Sequence, residues 1–91
     1  MIRLEKTRAQ TLSEAHELIT GEREQQYGAP EESFGKIAQL WSMYLRRPVT
    51  AYDVAFMLHL LKTGRLMNGF HKDSNVDSIG YLALASEMAA P

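Results

Sequence analysis

The stretch Asp53–Tyr81, DVAFMLHLLKTGRLMNGFHKDSNVDSIGY, limits the possible folds more than any other part of the chain. It reads as a helix, a short polar turn and a second helix. Lys62 and Arg65 stand at i,i+3 late in the first helix, and Asp73 and Asp77 stand at i,i+4 early in the second. Each spacing places its two charges on one helical face. The connecting turn, with Asn68, Gly69, His71 and Lys72, is short enough that the helices should pack antiparallel. The cations then come to lie beside the carboxylates. Two readings follow: a site for phosphate and metal, or a hairpin closed by salt bridges.

The chain has 91 residues, enough for one domain, expected over residues 11–91 behind an N-terminal arm of residues 1–10. A monomer of this size buries only about 60–65% of its unfolded surface, which favours a dimer or higher homo-oligomer. Cysteine is absent, so disulfides, zinc-thiolate sites and thiol nucleophiles are excluded. Ten Lys and Arg against eleven Asp and Glu leave a formal charge of −1, without the basic excess of a general nucleic-acid binder. No apolar run reaches the roughly 18 residues of a membrane span, and MIRLEKTRAQ is no hydrophobic signal segment. A soluble cytoplasmic protein is the expectation.

In chain order, Thr11-Leu12-Ser13-Glu14 has the form of a capping box, and Leu12, Ala15, Leu18 and Ile19 recur at helical spacing up to Gly21. A first helix over about 12–20 is expected, with His16 beside its apolar stripe. Pro30 suits the first position of a second helix, and Glu31 and Glu32 suit the positive end of its dipole. Phe34, Ile37, Ala38, Trp41, Tyr44 and Leu45 carry that helix to about residue 45. Trp41 and Tyr44 read as core or subunit interface rather than as a base-stacking platform. Thr50 and Asp53 form a second box-like start for a helix over 51–67, whose apolar residues surround nearly the whole cylinder. Such a helix belongs at the bundle centre or in an interface. Asp73 or Ser74 is the expected cap of a fourth helix running to about Ala89. Gly80 in mid-helix costs about 1 kcal/mol relative to alanine, so a close helix approach or a ligand should need the space.

Mg²⁺ takes carboxylate oxygens together with substrate phosphates and water. Asp73 and Asp77 can supply two such ligands, with a third from Glu31, Glu32 or the Glu22/Glu24 pair. Lys62 and Arg65 would then hold phosphate, the arginine as a fork and the lysine as a point charge, with Lys72 a further cation. His71 can act as a phosphate donor or as a general base near neutral pH. A salt-bridged hairpin explains the same charges without any ligand. No G-x-S-x-G elbow, Walker A pattern, G-x-G-x-x-G or H-E-x-x-H is present, and the three histidines lack metal-ligand spacing.

One succession of residues resembles a known pattern. Ile19-Thr20-Gly21-Glu22-Arg23, Tyr27-Gly28-Ala29-Pro30-Glu31-Glu32-Ser33-Phe34, Asp53-Val54-Ala55, Leu61-Lys62, Arg65-Leu66, and His71-Lys72-Asp73-Ser74 through Asp77 to Gly80-Tyr81 resemble a small phage and prophage family of uncharacterised proteins. That family is similar to the nucleotide-modification-associated domains of phages and, more distantly, to the all-α MazG-like nucleotide pyrophosphohydrolases. In MazG-like enzymes an E-x-x-E pair and a later E-x-x-D pair hold Mg²⁺ at the substrate phosphates. Asp77 matches the last aspartate of the second pair, and Asp73 stands one residue further upstream than the pattern has it. The third helix departs more, offering Lys62 and Arg65 where acidic residues would stand.

The resemblance implies an all-α, MazG-like bundle of about four helices that binds a phosphorylated nucleotide in the cytoplasm of a bacterial host. In one version the protein is a Mg²⁺-dependent pyrophosphohydrolase using His71 and Asp77. In another it sequesters or senses a nucleotide-like signal at a subunit interface, with Tyr27 and Tyr81 stacking and Lys62, Arg65 and Arg23 taking the phosphates. A third reading, from the residues alone, is a structural or interaction protein with no ligand, whose charges form hairpin salt bridges.

Overall fold

A computed structural model describes residues 6–21 and 28–89 of the chain. Those residues form an all-α structure of four helices: α1 (Arg8–Thr20), α2 (Pro30–Leu45), α3 (Ala51–Leu66) and α4 (Lys72–Met88). None of the four is long and apolar enough to cross a membrane.

Helix α1 begins one turn earlier than the expected 12–20. Its cap is Thr7, whose hydroxyl accepts from the Gln10 amide at 3.1 Å, while the Gln10 side chain accepts from the Thr7 amide at 2.9 Å. Thr7-x-x-Gln10 and Thr11-x-x-Glu14 are tandem capping boxes in sequence, and the upstream one is used. Thr11 is thereby drawn into the first turn, where its hydroxyl donates to the Thr7 carbonyl. Glu14 pairs with Lys6 instead of capping. At the other end, a Cβ on Gly21 would lie 2.9 Å from the Glu17 carbonyl oxygen, so this helix terminus has no room for a side chain.

Helix α2 occupies the expected range, started by Pro30 and by the exposed Glu31 and Glu32 of its first turn. It ends on Arg46 in the left-handed region, φ 56°. Ser42 then fastens the following loop, its hydroxyl accepting from the Val49 amide at 2.8 Å. Thr50 and Asp53 form the expected capping box of α3, with reciprocal bonds of 3.0 and 3.1 Å, so the Asp53 carboxylate serves as a cap. Helix α4 is capped by His71, where Asp73 or Ser74 was expected. The imidazole Nδ1 accepts from the Ser74 amide at 3.2 Å and meets the Ser74 hydroxyl at 2.9 Å, filling the role an asparagine would take. Asp73 falls in the first turn.

Helices α3 and α4 form an antiparallel hairpin; α1 packs on α4 and α2 packs on α3. Within one copy of the chain, α3 is not the buried centre that was one of its two expected places. Only Val54 and Ala55 of that helix are buried, and Met57, Leu60 and Leu61 are exposed. The most buried helix is α4, through Ser74, Val76, Ser78, Gly80, Tyr81, Leu84 and Ala85. Its small residues let α1 and α3 approach closely on two sides, whereas the large side chains of α3 extend past the neighbours that cover it.

Gly80 shows what that closeness requires. A Cβ there would lie 3.0 Å from Ile19 Cγ2 of α1. Gly80→Val should therefore destabilise the domain by about 1–3 kcal/mol through overpacking, read as a lower urea midpoint. Gly80→Ala should be close to neutral, because about 1 kcal/mol of gained helix propensity offsets the tight contact. An equally mild effect from valine would mean that α1 does not rest on this glycine.

Candidate functional site

The charges singled out in the sequence divide into two places along the hairpin. Midway along it, Lys62 Nζ lies 3.0 Å from Asp77 Oδ2, with side chains only 17% and 24% exposed. Antiparallel packing brings these two to the same level, as the spacing implied. One turn further from the α3–α4 turn is a group that the sequence did not announce. His59 Nδ1 lies 2.7 Å from Ser78 Oγ and 3.0 Å from the Ser78 carbonyl oxygen. Thr63 donates to the His59 carbonyl at 2.9 Å and lies 3.3 Å from Ser78 Oγ. With Nδ1 protonated the imidazole donates to the oxygens of Ser78, and with Nδ1 bare the Ser78 hydroxyl donates to it. The only sequence clue was an i,i+4 His-Thr pair facing a serine next to Asp77.

Where the two helices join, Arg65, Asn68, Gly69, Phe70, His71 and Ser74 line a concavity of about 330 Å³. Arg65 is exposed and has no ion-pair partner among the described residues. Phe70 is largely exposed, a ring that the sequence reading passed over. His71 brings the capped N-terminus of α4 to the same place. The turn between the helices is closed by Gly69, at φ 124°, whose amide donates to the Leu66 carbonyl. Arg65 and His71 are thus brought together, whereas Lys62 is turned inward to Asp77.

The remaining candidates lie elsewhere. Lys72 and Asp73 are exposed on the first turn of α4, and Glu31 and Glu32 on the first turn of α2. Tyr81 is buried, its ring centroid 6.4 Å from that of Phe34, and so is placed in the core rather than on a stacking surface. Arg23 and Tyr27 lie outside the described residues, as do Glu22 and Glu24. Among the described residues no three His, Asp or Glu side chains gather as a metal site. Asp77 faces an ammonium group and Asp73 is exposed, so the described donor set does not fit Mg²⁺.

Comparison with known proteins places this arrangement among phage proteins. The chain is 44% identical over 82 residues to the Gene 55 protein of Mycobacterium phage L5, a match covering 88% of this chain and 53% of the relative. It is 45% identical over 71 residues to the Gene 55 protein of Mycobacterium phage D29, covering 77% of this chain and 47% of that protein. The chain therefore spans about half the length of these curated relatives. No solved structure matches it. The model of a domain of unknown function, DUF6378, matches residues 10–89, which takes in all of the hairpin and α2, and α1 from Gln10 onward. The chain belongs to the DUF6378 family.

Proposed function

We propose that this domain binds a phosphorylated nucleotide at the α3–α4 turn and holds it without hydrolysing it. The observation that supports this reading best is the shared concavity of Arg65, Asn68, Phe70 and the His71-capped start of α4. Arginine offers a planar fork for phosphate oxygens, and the positive end of a helix dipole favours the same charge. The Phe70 ring offers a face for a base, and Asn68 an amide for its polar edge. The concavity, about 330 Å³, is open on its outer side, so a bound nucleotide would lie in it partly exposed. The resemblance to nucleotide-modification-associated and MazG-like domains agrees with a nucleotide as the ligand. Binding is favoured over hydrolysis because Asp77, which would supply the metal ligand of the hydrolytic version, is engaged by Lys62.

The test is one incubation with a panel of nucleoside mono-, di- and triphosphates and cyclic dinucleotides, with and without Mg²⁺. Filtrate and heat-released compounds are then analysed by mass spectrometry. One nucleotide should be depleted from the filtrate and recovered intact, with or without Mg²⁺. A charge-assisted bond contributes about 1.5–3 kcal/mol, so Arg65→Ala should weaken retention about ten- to a hundredfold with an unchanged melting temperature. No depletion of any compound overturns the reading. New monophosphate and pyrophosphate would replace it with hydrolysis.

A further inference from the structure

A separate observation, independent of the ligand, concerns the outer faces of α2 and α3. On α2, Leu40, Met43 and Tyr44 stand at i, i+3 and i+4 and are 65%, 75% and 88% exposed. On α3, Met57, Leu60 and Leu61 repeat the same spacing and are 43%, 51% and 53% exposed. The two helices pack on each other, and the bond between Ser42 and Val49 fastens the loop that joins them. Residues 37–45 (IAQLWSMYL) and 54–61 (VAFMLHLL) contain no Asp, Glu, Lys or Arg. Meanwhile the interior holds few large groups, Tyr81 and Leu84 being the largest buried side chains among the described residues, and neither is wholly covered. Among the described residues, the largest side chains that are fully buried are Val54 and Ser74.

We infer that the outer faces of α2 and α3 are the contact surface for a second copy of this chain. At about 200 Å² for a fully exposed large side chain, the six residues offer about 750 Å². That is close to the roughly 800 Å² each partner contributes to a standard interface. Depletion of charge marks the centre of an interface, and homodimer interfaces are the more apolar kind. A two-fold axis sets a patch against itself, where any charge it carries tends to meet its own sign. A surface with no formal charge meets no such repulsion, and it carries none of the charge pattern that would select a different partner. The dimer also adds large apolar side chains to the few that the single copy buries.

The experiment is sedimentation equilibrium of the chain over a hundredfold range of concentration, with thermal melting at each concentration. The expected result is a mass of twice 10.3 kDa and a melting temperature that rises with concentration. Tyr44→Lys and Leu60→Lys, both at exposed positions, should each weaken self-association by at least about tenfold. Should either variant fail to fold, a cysteine placed at Tyr44 in this cysteine-free chain gives a second measurement. Its reaction with a thiol reagent should slow as protein concentration rises. A mass of 10.3 kDa at every concentration, an unchanged mass in both lysine variants, or a concentration-independent rate at the introduced cysteine would each overturn the inference.

Discussion

Tyr81→Ala should remove about 3–5 kcal/mol of stability, the usual cost of deleting a large buried aromatic side chain. Tyr81 is buried on α4, and its ring meets Phe34 from α2, so it joins two helices that otherwise touch little. At about 0.05–0.15 kcal/mol per residue, a domain of this size has only about 5–14 kcal/mol in total. The variant should therefore unfold at a much lower urea concentration in a far-UV circular dichroism titration, and Tyr81→Phe, which keeps the ring, should lose less. The same pair separates two roles for the residue. A ring that served mainly to stack on a base would leave the urea midpoint in place and change ligand retention alone.

The second large effect belongs to the Lys62–Asp77 pair. With side chains 17% and 24% exposed, removing either partner leaves a largely desolvated charge without its counter-ion. Asp77→Ala and Lys62→Ala should each cost about 2–3 kcal/mol, somewhat below the cost at a fully buried pair. The double variant Lys62→Met/Asp77→Leu should recover most of that loss, because it removes both charges and fills the space with apolar groups of similar length. Denaturant titrations of the four proteins give the coupling energy directly. Losses that simply add would mean that the two groups do not depend on each other. Ligand retention by the double variant provides a further contrast, since the proposed nucleotide site lies at the turn and should persist without this pair.

Much of the fold could be read from local signals, and the exceptions have definite causes. Pro30 and the Thr50–Asp53 box each specify a helix start by backbone chemistry, and α2 and α3 begin where those residues require. The start of α1 was ambiguous because two capping boxes follow one another, and sequence alone does not rank them. The reading of His71 for its proton chemistry did not foresee that its Nδ1 accepts the Ser74 amide as the cap of α4. The bundle-centre half of the expectation for α3 came from hydropathy. Periodicity gives weight to Leu, Met and Phe, which drew attention to α3, but close helix contact here depends on Ser74, Ser78, Gly80 and Ala85 of α4. Of the site, the meeting of Lys62 with Asp77 was legible because both spacings and the short turn are local facts. The His59–Ser78 contact was not, since it links residues from two helices whose rotation about their axes only tertiary packing sets.

The contact between Ile19 and Gly80 has a bearing on how the chain comes together. It joins two points some sixty residues apart in sequence, whereas Lys62 and His59 reach Asp77 and Ser78 across fewer than twenty. Closing the shorter loop costs less chain entropy, and the groups that close it belong to neighbouring helices. The hairpin can therefore organise first, and α1 can dock only on a surface that α4 already presents. The shallow seat left by Gly80 is in this sense a receiving site within the chain, filled only after the hairpin that forms it.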